Sequence, residues 1–227
     1  MLKNQTRYLF KWVILDIPVS FMRISRLSKE EIRKKYDSFS KMYDYSEIFF
    51  NLFIGRARRK MISKASGKVL EIGIGTGSNI KYYPYNCTLT GIDLSEGMLN
   101  IARRKAEKLG KKLNLIKGDA ENLPFKNGEF DYVIDTLGLC TYPDPIKALK
   151  EMKRVCRKSG RILLLEHGAS NSKFVRRLQA RRESKQYSLI GCHLMRNPEE
   201  LVGKAGFKIA SCERKFSGIF YIIEAGV

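Results

Sequence analysis

Residues 69–78 read Val-Leu-Glu-Ile-Gly-Ile-Gly-Thr-Gly-Ser. The mostly apolar run 69–72 predicts a short buried strand, and Gly73, Gly75 and Gly77 alternate in the turn that follows. Glycine tolerates positive φ angles and lets a ligand lie directly against the backbone. A helix is expected after the turn, so the stretch predicts a strand–turn–helix unit that binds a ligand.

The spacing of these glycines differs from the dinucleotide-binding fingerprint. That fingerprint needs a glycine where Ser78 stands, and Glu71 would be poorly placed beside a pyrophosphate. An acid at this position suits a ligand that carries an ammonium and a sulfonium group, for which Glu71 would orient the loop. The loop by itself is also compatible with a tight turn that binds nothing.

Acidic side chains recur where the next strands are predicted to end. Asp93 ends the second apolar run, where an acid can accept hydrogen bonds from both hydroxyls of a ribose. Asp119 follows the third run and is placed to accept a hydrogen bond from an adenine amino group. Asp135 closes the fourth run and is expected to face the reaction centre. With Glu71, acids at four successive strand ends favour a ligand site over a simple turn.

The sequence beyond residue 68 alternates apolar runs with amphipathic stretches, which predicts a doubly wound α/β fold. The predicted parallel strands are 69–72, 89–93, 113–116, 132–136 and 162–166. The predicted helices are 95–109, 146–158 and 197–205. Two last runs, 208–214 and 219–225, have no helix between them and must pair antiparallel. The expected sheet is therefore seven-stranded and mostly parallel, with an antiparallel last strand.

Residues 1–60 are predicted to form a helical extension that caps a single α/β domain over residues 61–227. Lys3, Arg7 and Lys11 fall on one helical line beside an apolar line, as in an amphipathic basic helix. Three interpretations stay open: a membrane-surface helix, a cleavable organelle presequence, or a lid helix packed on the domain.

The formal net charge of +20 indicates an anionic partner or a solvated basic surface. Phosphate backbones and anionic lipids are both compatible with this charge. The five cysteines include no Cys-x-x-Cys pair and there are only two histidines, so we predict no metal site, no disulfide framework and a reducing compartment. The sequence has no run of the ~18–20 apolar residues that a membrane span needs.

Together these residues resemble the class I S-adenosylmethionine-dependent methyltransferases. Residues 36–44, Tyr-Asp-Ser-Phe-Ser-Lys-Met-Tyr-Asp, are similar to a Tyr-Asp motif of the group that contains quinone-biosynthesis C-methyltransferases and phospholipid N-methyltransferases. In that group the tyrosines and acids close over the donor. The resemblance implies a Rossmann-like methyltransferase fold, with S-adenosyl-L-methionine as cofactor and S-adenosyl-L-homocysteine as product. The predicted donor-binding residues are Tyr36, Glu71, Gly73, Gly75, Gly77, Asp93, Leu94, Asp119, Ala120 and Asp135.

Three further runs carry a narrower resemblance: Gly-Leu-Cys-Thr-Tyr-Pro-Asp-Pro at 138–145, Leu-Glu-His-Gly at 165–168 and Gly-Cys-His at 191–193. They are similar to a subset of methyltransferase-like proteins found at mitochondrial or endoplasmic-reticulum membranes, and to their microbial relatives. The expected location is therefore cytoplasmic or mitochondrial, with peripheral attachment to a membrane.

Methyl transfer from a sulfonium is an in-line displacement, so a base is needed only where the acceptor atom carries a proton that must leave. His167, expected at the end of the fifth strand, is the first candidate base and His193 the second. Tyr43 is predicted to act as a lid or to orient the acceptor. Either histidine is also compatible with simple packing. Cys140 is not predicted to be a nucleophile, because it lacks the Pro-Cys motif of enzymes that methylate pyrimidine carbon.

The preferred hypothesis is a methyltransferase that acts on a lipid or small-molecule acceptor at a membrane surface. Residues 172–187 predict a basic helix on the acceptor side, which would meet lipid or RNA phosphates or remain solvated. One alternative is an RNA methyltransferase, favoured by the charge but without a recognisable RNA-binding module. The other is a weakly active assembly factor with a methyltransferase fold.

Overall fold

The computed structural model describes residues 26–227, with the side chains of all of these except residue 41 and residues 44–50. The basic helix predicted around Lys3, Arg7 and Lys11 therefore lies outside the described residues. The same holds for the side chain of Asp44, the last residue of the Tyr-Asp motif.

The described chain forms one seven-stranded sheet. Its strands are β1 (Gly67–Ile72), β2 (Cys87–Asp93), β3 (Leu113–Lys117), β4 (Phe130–Thr136), β5 (Cys156–His167), β6 (Lys208–Lys215) and β7 (Phe220–Gly226). They lie in the order β3-β2-β1-β4-β5-β7-β6, and β7 runs antiparallel to both its neighbours while the other pairs are parallel. The predicted doubly wound, mostly parallel sheet with an antiparallel last strand is confirmed.

Helices cover both faces of this sheet. Within residues 26–227 they are α1 (Lys29–Ile62), α2 (Glu96–Lys108), α3 (Pro145–Val155), α4 (Lys173–Ile190) and α5 (Pro198–Lys204). Each begins where a short polar side chain accepts a hydrogen bond from a backbone N–H of the first turn. These N-cap residues are Ser28, Ser95, Asp144, Ser172 and Asn197. Across this part of the chain, no helix has the length and hydropathy to cross a bilayer.

The α-helix predicted directly after the glycine turn is wrong. Over this described stretch the chain makes turns and a short 3₁₀ helix, Ile80–Tyr82, before β2 begins. Asn79 points inward and its amide donates a hydrogen bond to the Glu71 carboxylate at 2.7 Å. Pro84 holds the preceding residue, Tyr83, in an extended conformation. Too few residues remain between these two constraints for an α-helix.

The helix predicted over 146–158 ends earlier, at Val155, and β5 starts at Cys156. Both residues are buried, and Cys156 pairs with Phe130 at the start of β4. The start of β5 can lie close against β4 because residue 160 is glycine: a Cβ on Gly160 would lie 2.7 Å from the carbonyl oxygen of Asp131. Burial of apolar side chains beside β4 therefore outweighs the helical pattern of the sequence.

The strands alternate their side chains between two cores, one on each face of the sheet. On one face Val133 and Leu164 pack in the core that α3 and α5 cover. On the other face Ile134 and Leu163 pack with Ile62 of α1. β4 and β5 are thus buried on both faces, as central parallel strands are.

The central position of β5 predicts a large stability difference between two leucines. Leu164→Ala empties a fully buried site and should lower the free energy of unfolding by about 2–5 kcal/mol. Leu109→Ala, at a position that is 42% exposed, should cost less than about 1 kcal/mol. Urea denaturation followed by circular dichroism measures both, and equal losses would contradict this account of the core.

Candidate active site

A cavity of about 110 Å³ lies where β1, β2, β3 and β4 end. The segments that follow these strands form its wall, and residues of α1 complete it. The strand order reverses direction between β1 and β4. Open parallel sheets bind ligands at such a reversal, outside the carboxyl ends of the strands. The cavity is therefore the candidate site.

Gly73 and Gly75 form the part of the wall that follows β1. Their φ angles are 60° and 56°, in the left-handed region that favours glycine. A Cβ on Gly73 would lie 2.9 Å from the hydroxyl oxygen of Tyr142, another wall residue. Gly77 lies outside the lining, and a Cβ there would approach the backbone of Ala102 at 3.2 Å. Two glycines thus face the cavity and the third permits close packing.

Asp93, at the end of β2, ties the glycine turn to the start of α2. Its Oδ2 accepts a hydrogen bond from the backbone N–H of Gly75 at 2.8 Å, and its Oδ1 accepts one from Ser95 at 2.9 Å. Burial raises the pKa of Asp93 to about 6, against the opposing effect of the backbone donors. Each carboxylate oxygen can accept more than one hydrogen bond, so ionised Asp93 retains acceptor capacity toward the cavity.

Glu71 is buried within β1, outside the lining that the described residues form. Its Oε1 accepts a hydrogen bond from Asn79 at 2.7 Å and its Oε2 accepts one from Tyr83 at 2.8 Å. The carboxylate thereby fixes the segment that follows the glycine turn, which is the loop-orienting position that the sequence predicts for it.

Asp119 and Ala120 line the cavity after β3, and Leu94 lines it after β2. Lys29, in the first turn of α1, places its Nζ 2.5 Å from Asp119 Oδ2 and 2.7 Å from Glu121 Oε2. Burial lowers the pKa of Lys29, but the two carboxylates outweigh it and the net shift is upward. This ion pair holds α1 against the rim of the cavity.

Residues of the 36–44 motif contact both the cavity and the start of α2. Tyr36 and Tyr43 both line the cavity, with ring centroids 6.3 Å apart. Asp37 accepts hydrogen bonds from the Ser95 hydroxyl and, at 3.1 Å, from the backbone N–H of Gly97. Tyrosine faces the cavity while aspartate fastens α1 to the N-terminus of α2.

Asp135 lies buried behind the wall, 3.8 Å from the position that a Cβ on Gly73 would take. Neither carboxylate oxygen has a well-aligned hydrogen-bond partner among the described residues, although the Tyr142 hydroxyl and the backbone N–H groups of Thr136 and Gly138 lie beside it. Burial raises the pKa of Asp135 to about 8. A cationic ligand above Gly73 would favour the ionised form of this carboxyl.

His167 and His193 lie behind the wall, outside the lining that the described residues form. His167 Nε2 is 3.2 Å from the Sγ of Cys192. His193 Nδ1 is 2.7 Å from Glu183 Oε1, and its ring stacks on Tyr187 with centroids 4.3 Å apart. Neither imidazole reaches the cavity in this arrangement.

Cys140 and Cys192 join His167 in a buried cluster, with one ligand atom of each within 4.8 Å of the others. A hydrogen bond from Cys140, together with His167, lowers the pKa of Cys192 well below its ordinary value. The same hydrogen bond raises the pKa of Cys140. Burial lowers the pKa of His167, but the Cys192 thiolate outweighs this and raises it. The pKa shifts at these three groups thus arise from their contacts with one another and from burial.

The structure thus divides the predicted site residues into two sets. Those that line the cavity are Tyr36, Tyr43, Gly73, Gly75, Asp93, Leu94, Asp119 and Ala120. Those that lie behind the wall are Glu71, Gly77, Asp135, His167 and His193. Lys29 and Tyr142 were missed. Ser28 and Glu31 form a capping box that marks the helix start at Lys29. No pattern in the sequence predicts that Lys29 pairs with carboxylates far along the chain.

The arrangement suits a nucleoside ligand with positive charge. Backbone without side chains faces the cavity at Gly73 and Gly75, carboxylates line it at Asp93 and Asp119, and Asp135 lies buried behind the wall. Such carboxylates can bind ribose hydroxyls, an adenine amino group and an ammonium. The residues present therefore fit S-adenosylmethionine.

The profile of a family described as a methyltransferase domain matches residues 70–164. The protein named "Methyltransferase OMS1, mitochondrial" from Saccharomyces cerevisiae is 30% identical over 193 residues, which cover 77% of this chain and 41% of that protein. Phosphatidylethanolamine N-methyltransferase from Cereibacter sphaeroides is 35% identical over 133 residues, covering 56% and 64%. This chain thus spans less than two thirds of either relative. A Thermotoga maritima structure, titled a SAM-dependent methyltransferase and possible histamine N-methyltransferase, has a TM-score of 0.67 at 24% identity and covers 86% and 99%.

The chain carries a class I S-adenosylmethionine-dependent methyltransferase domain. S-adenosylmethionine is the methyl donor of this domain. The methyltransferase family match begins within β1, covers the glycine turn and the ends of β2, β3 and β4, and stops within β5. It therefore includes the donor half of the cavity and leaves out α1, α4 and α5.

A valine at Gly73 should abolish donor binding by the methyltransferase domain. Gly73→Val places a branched side chain against Tyr142 and into the path of the donor. Gly110→Val is the matched control, since Gly110 has a similar φ angle of 59° but no atom within 4 Å of its added Cβ. Calorimetry with S-adenosylhomocysteine should detect binding by the control alone, and normal binding by Gly73→Val would remove the loop from the site.

Removal of the Asp93 carboxylate should weaken donor binding about 10- to 150-fold, the equivalent of about 1.5–3 kcal/mol for a charged hydrogen-bond partner. Because the pKa of Asp93 is about 6, wild-type affinity should fall as the pH drops below that value and the carboxylate is protonated. The Asp93→Ala variant should lack this step. Asp131→Ala, at the opposite end of the sheet, serves as control. Unchanged affinity in Asp93→Ala at pH 8 would contradict the assignment.

Proposed function

We propose that this protein transfers a methyl group from S-adenosylmethionine to a lipid or small-molecule acceptor at a membrane surface. The observation that carries the proposal is an exposed apolar and basic surface at the same end of the sheet as the donor cavity.

In the donor half we assign the carboxylates by their positions. Asp93 accepts hydrogen bonds from the ribose hydroxyls, and Asp119 accepts one from the adenine amino group after it exchanges Lys29 for the ligand. Asp135 faces the cationic end of the donor, where positive charge offsets its burial. Glu71 holds the loop in place through its own hydrogen bonds.

We assign α1, and with it the predicted extension over residues 1–60, the role of a lid. The cavity of about 110 Å³ is below the ~300–1,000 Å³ usual for ligand pockets, so the donor needs α1 to move outward. The contacts that hold α1 over the cavity include polar ones, at Lys29 and Asp37. Such contacts can exchange with water at little cost. Closure then brings Tyr36 and Tyr43 over the donor.

The chemistry needs chiefly that donor and acceptor are held in line. Tyr43 lines the cavity and is our candidate for orienting the acceptor. The role of His167 or His193 as a general base stays a prediction. Neither imidazole lines the cavity, so a proton would have to cross the wall to reach it. His167 contacts Cys192, and His193 contacts Glu183.

Exposed apolar side chains from three elements support a membrane-facing acceptor side. Leu52 and Phe53 lie on α1, Phe174 on α4, and Phe216 in the β6–β7 turn. Phe53 and Phe216 meet edge to face with centroids 5.9 Å apart. We call these four residues the apolar patch. Clustered exposed apolar side chains of this kind mark sites of interaction.

The apolar patch lies toward the donor end of the sheet. His167, the last residue of β5, pairs with Phe220, and Phe220 pairs with Lys215 across the β6–β7 turn. The turn therefore projects beyond the carboxyl end of β5. The segment that leads into α4 packs beside it, since the N–H of Asn171 donates to the Ser217 carbonyl at 2.9 Å. An acceptor held at the patch approaches from the end where the donor binds.

Basic side chains flank the apolar patch. Lys173, Arg176 and Arg177 are exposed in the first turns of α4. Each basic residue near an anionic leaflet contributes about 1 kcal/mol, and burial of apolar side chains adds to it. The relatives are compatible with this setting: one is named as mitochondrial, and the other is named for a phospholipid acceptor.

Membrane binding should depend on both parts of this surface. Phe216→Ser should reduce co-sedimentation with anionic vesicles, and Arg176→Glu with Arg177→Glu should reduce it about 10-fold or more. The matched controls are Tyr85→Ser, exposed in the loop before β2, and Arg103→Glu with Arg104→Glu on α2. Equal losses in variants and controls would remove the surface from the proposal.

The acceptor class is tested by donor-dependent labelling of a total lipid extract beside total RNA, with the same wild-type protein. The proposal expects label in the lipid or small-molecule fraction, and RNA should not displace the protein from anionic vesicles. Label confined to RNA, with tight RNA binding and no vesicle binding at low salt, would replace it by the RNA methyltransferase alternative.

A further inference from the structure

Cys140, His167 and Cys192 form a cluster outside the lining of the donor cavity. Its three ligand atoms lie within 4.8 Å of one another, and His167 Nε2 is 3.2 Å from Cys192 Sγ. Both cysteines are buried and neither is in a disulfide. Three side chains that bind soft metals thus converge in one place, with both thiols buried and the imidazole half-buried.

Three separate segments are fixed so that these side chains meet. Cys140 lies in the loop after β4, His167 ends β5, and Cys192 follows α4. The backbone N–H of His193 donates to the carbonyl of Cys140 at 2.9 Å, and Arg196 donates from its guanidinium to the carbonyl of Leu139. The loops are therefore bonded to each other through their backbones, independently of the cluster. A site held in this way is preorganised.

The spacing matches the coordination shell of zinc. With Zn–S bonds of about 2.3 Å and Zn–N bonds of about 2.0–2.1 Å, tetrahedral ligand atoms lie about 3.5–3.8 Å apart. Changes of roughly 1.3 Å or less bring the three atoms to these distances from the separations found here. Two thiolates and one imidazole select thiophilic divalent ions over magnesium or calcium.

We propose that Cys140, His167 and Cys192 bind a zinc-type divalent cation with three protein ligands and one open position. Two thiolates neutralise the charge of the ion, so the bound site carries no net charge in its buried surroundings. Leu137, Gly138 and Thr141, which flank Cys140, line the donor cavity. The ion therefore fixes the cavity wall from behind. This site is separate from the donor-binding residues and goes beyond the proposed function.

Cobalt and zinc test the site on the intact wild-type protein. Protein purified with a non-thiol reductant and stripped with a chelator is titrated with Co²⁺, which should give thiolate-to-cobalt charge-transfer absorption that Zn²⁺ then abolishes. Zn²⁺ should also protect Cys140 and Cys192 from alkylation in peptide mass spectra. Cys87 and Cys212, which lie outside the cluster, are internal controls and should react equally with or without zinc.

Variants then identify the ligands. Cys192→Ser and His167→Gln should each weaken zinc binding more than about 100-fold, since loss of a group that only orients a ligand already costs 10- to 100-fold. Cys212→Ser should bind zinc like the wild type, and circular dichroism with S-adenosylhomocysteine binding reports whether each variant is folded. Absence of charge-transfer absorption in the wild type, or its persistence in folded Cys192→Ser, would overturn the proposal. A Cys140–Cys192 disulfide in protein that takes up no metal would also overturn it, in favour of a redox-active thiol pair.

Discussion

Burial of carboxylates at the carboxyl ends of the parallel strands is the constraint on which the rest of the site depends. Asp135 and, in β5, Glu166 are fully buried, and Asp93 is half-buried. Burial raises the pKa of each of these three carboxyls. In a chain with a net charge of +20, acids are thus gathered at one cleft, where burial disfavours their ionised forms. Buried charge without a partner is costly, so a cation in the cleft would favour ionised Asp93 and Asp135. The proposed methyl donor is such a cation, and in the structure Lys29 of α1 already pairs with Asp119 and Glu121 at the rim.

The cleft in turn explains why the surrounding backbone is built from glycines and covered by a helix. Positive φ angles at Gly73 and Gly75 bring backbone rather than side chains to the cavity, beside the carboxylates of Asp93 and Asp119. Tyr36 and Tyr43 of α1 line the cavity, and Lys29 and Asp37 anchor this helix at the same cleft. In the proposed function, donor binding and lid position are coupled because the ion pair between Lys29 and Asp119 opens when adenine takes its place.

The donor half could be predicted from the sequence because its residues lie at consecutive strand ends, where local patterns of apolar runs, glycines and acids are sufficient. The same patterns failed where tertiary packing outweighs local preference. Val155 and Cys156 continue a helical pattern but are drawn into the core beside Phe130, so the helix ends early. The glycine turn leads to no α-helix, because Asn79 is committed to Glu71 and Pro84 follows closely. Neither commitment is visible until the strands are placed side by side.

The cluster of Cys140, His167 and Cys192 is a second feature that local patterns in the sequence do not predict. Composition argued against a metal site, because the five cysteines form no short pair, yet Cys140, His167 and Cys192 meet in space from three segments. Spacing along the chain detects only sites whose ligands are supplied in pairs by one turn or one helix. A site assembled from a strand end and two loops leaves no such pattern. The acceptor side that we propose is built in the same way, from α1, the loop after β4 and the segments around α4. Its chemistry therefore follows from the folded arrangement, whereas the donor chemistry follows from the sequence.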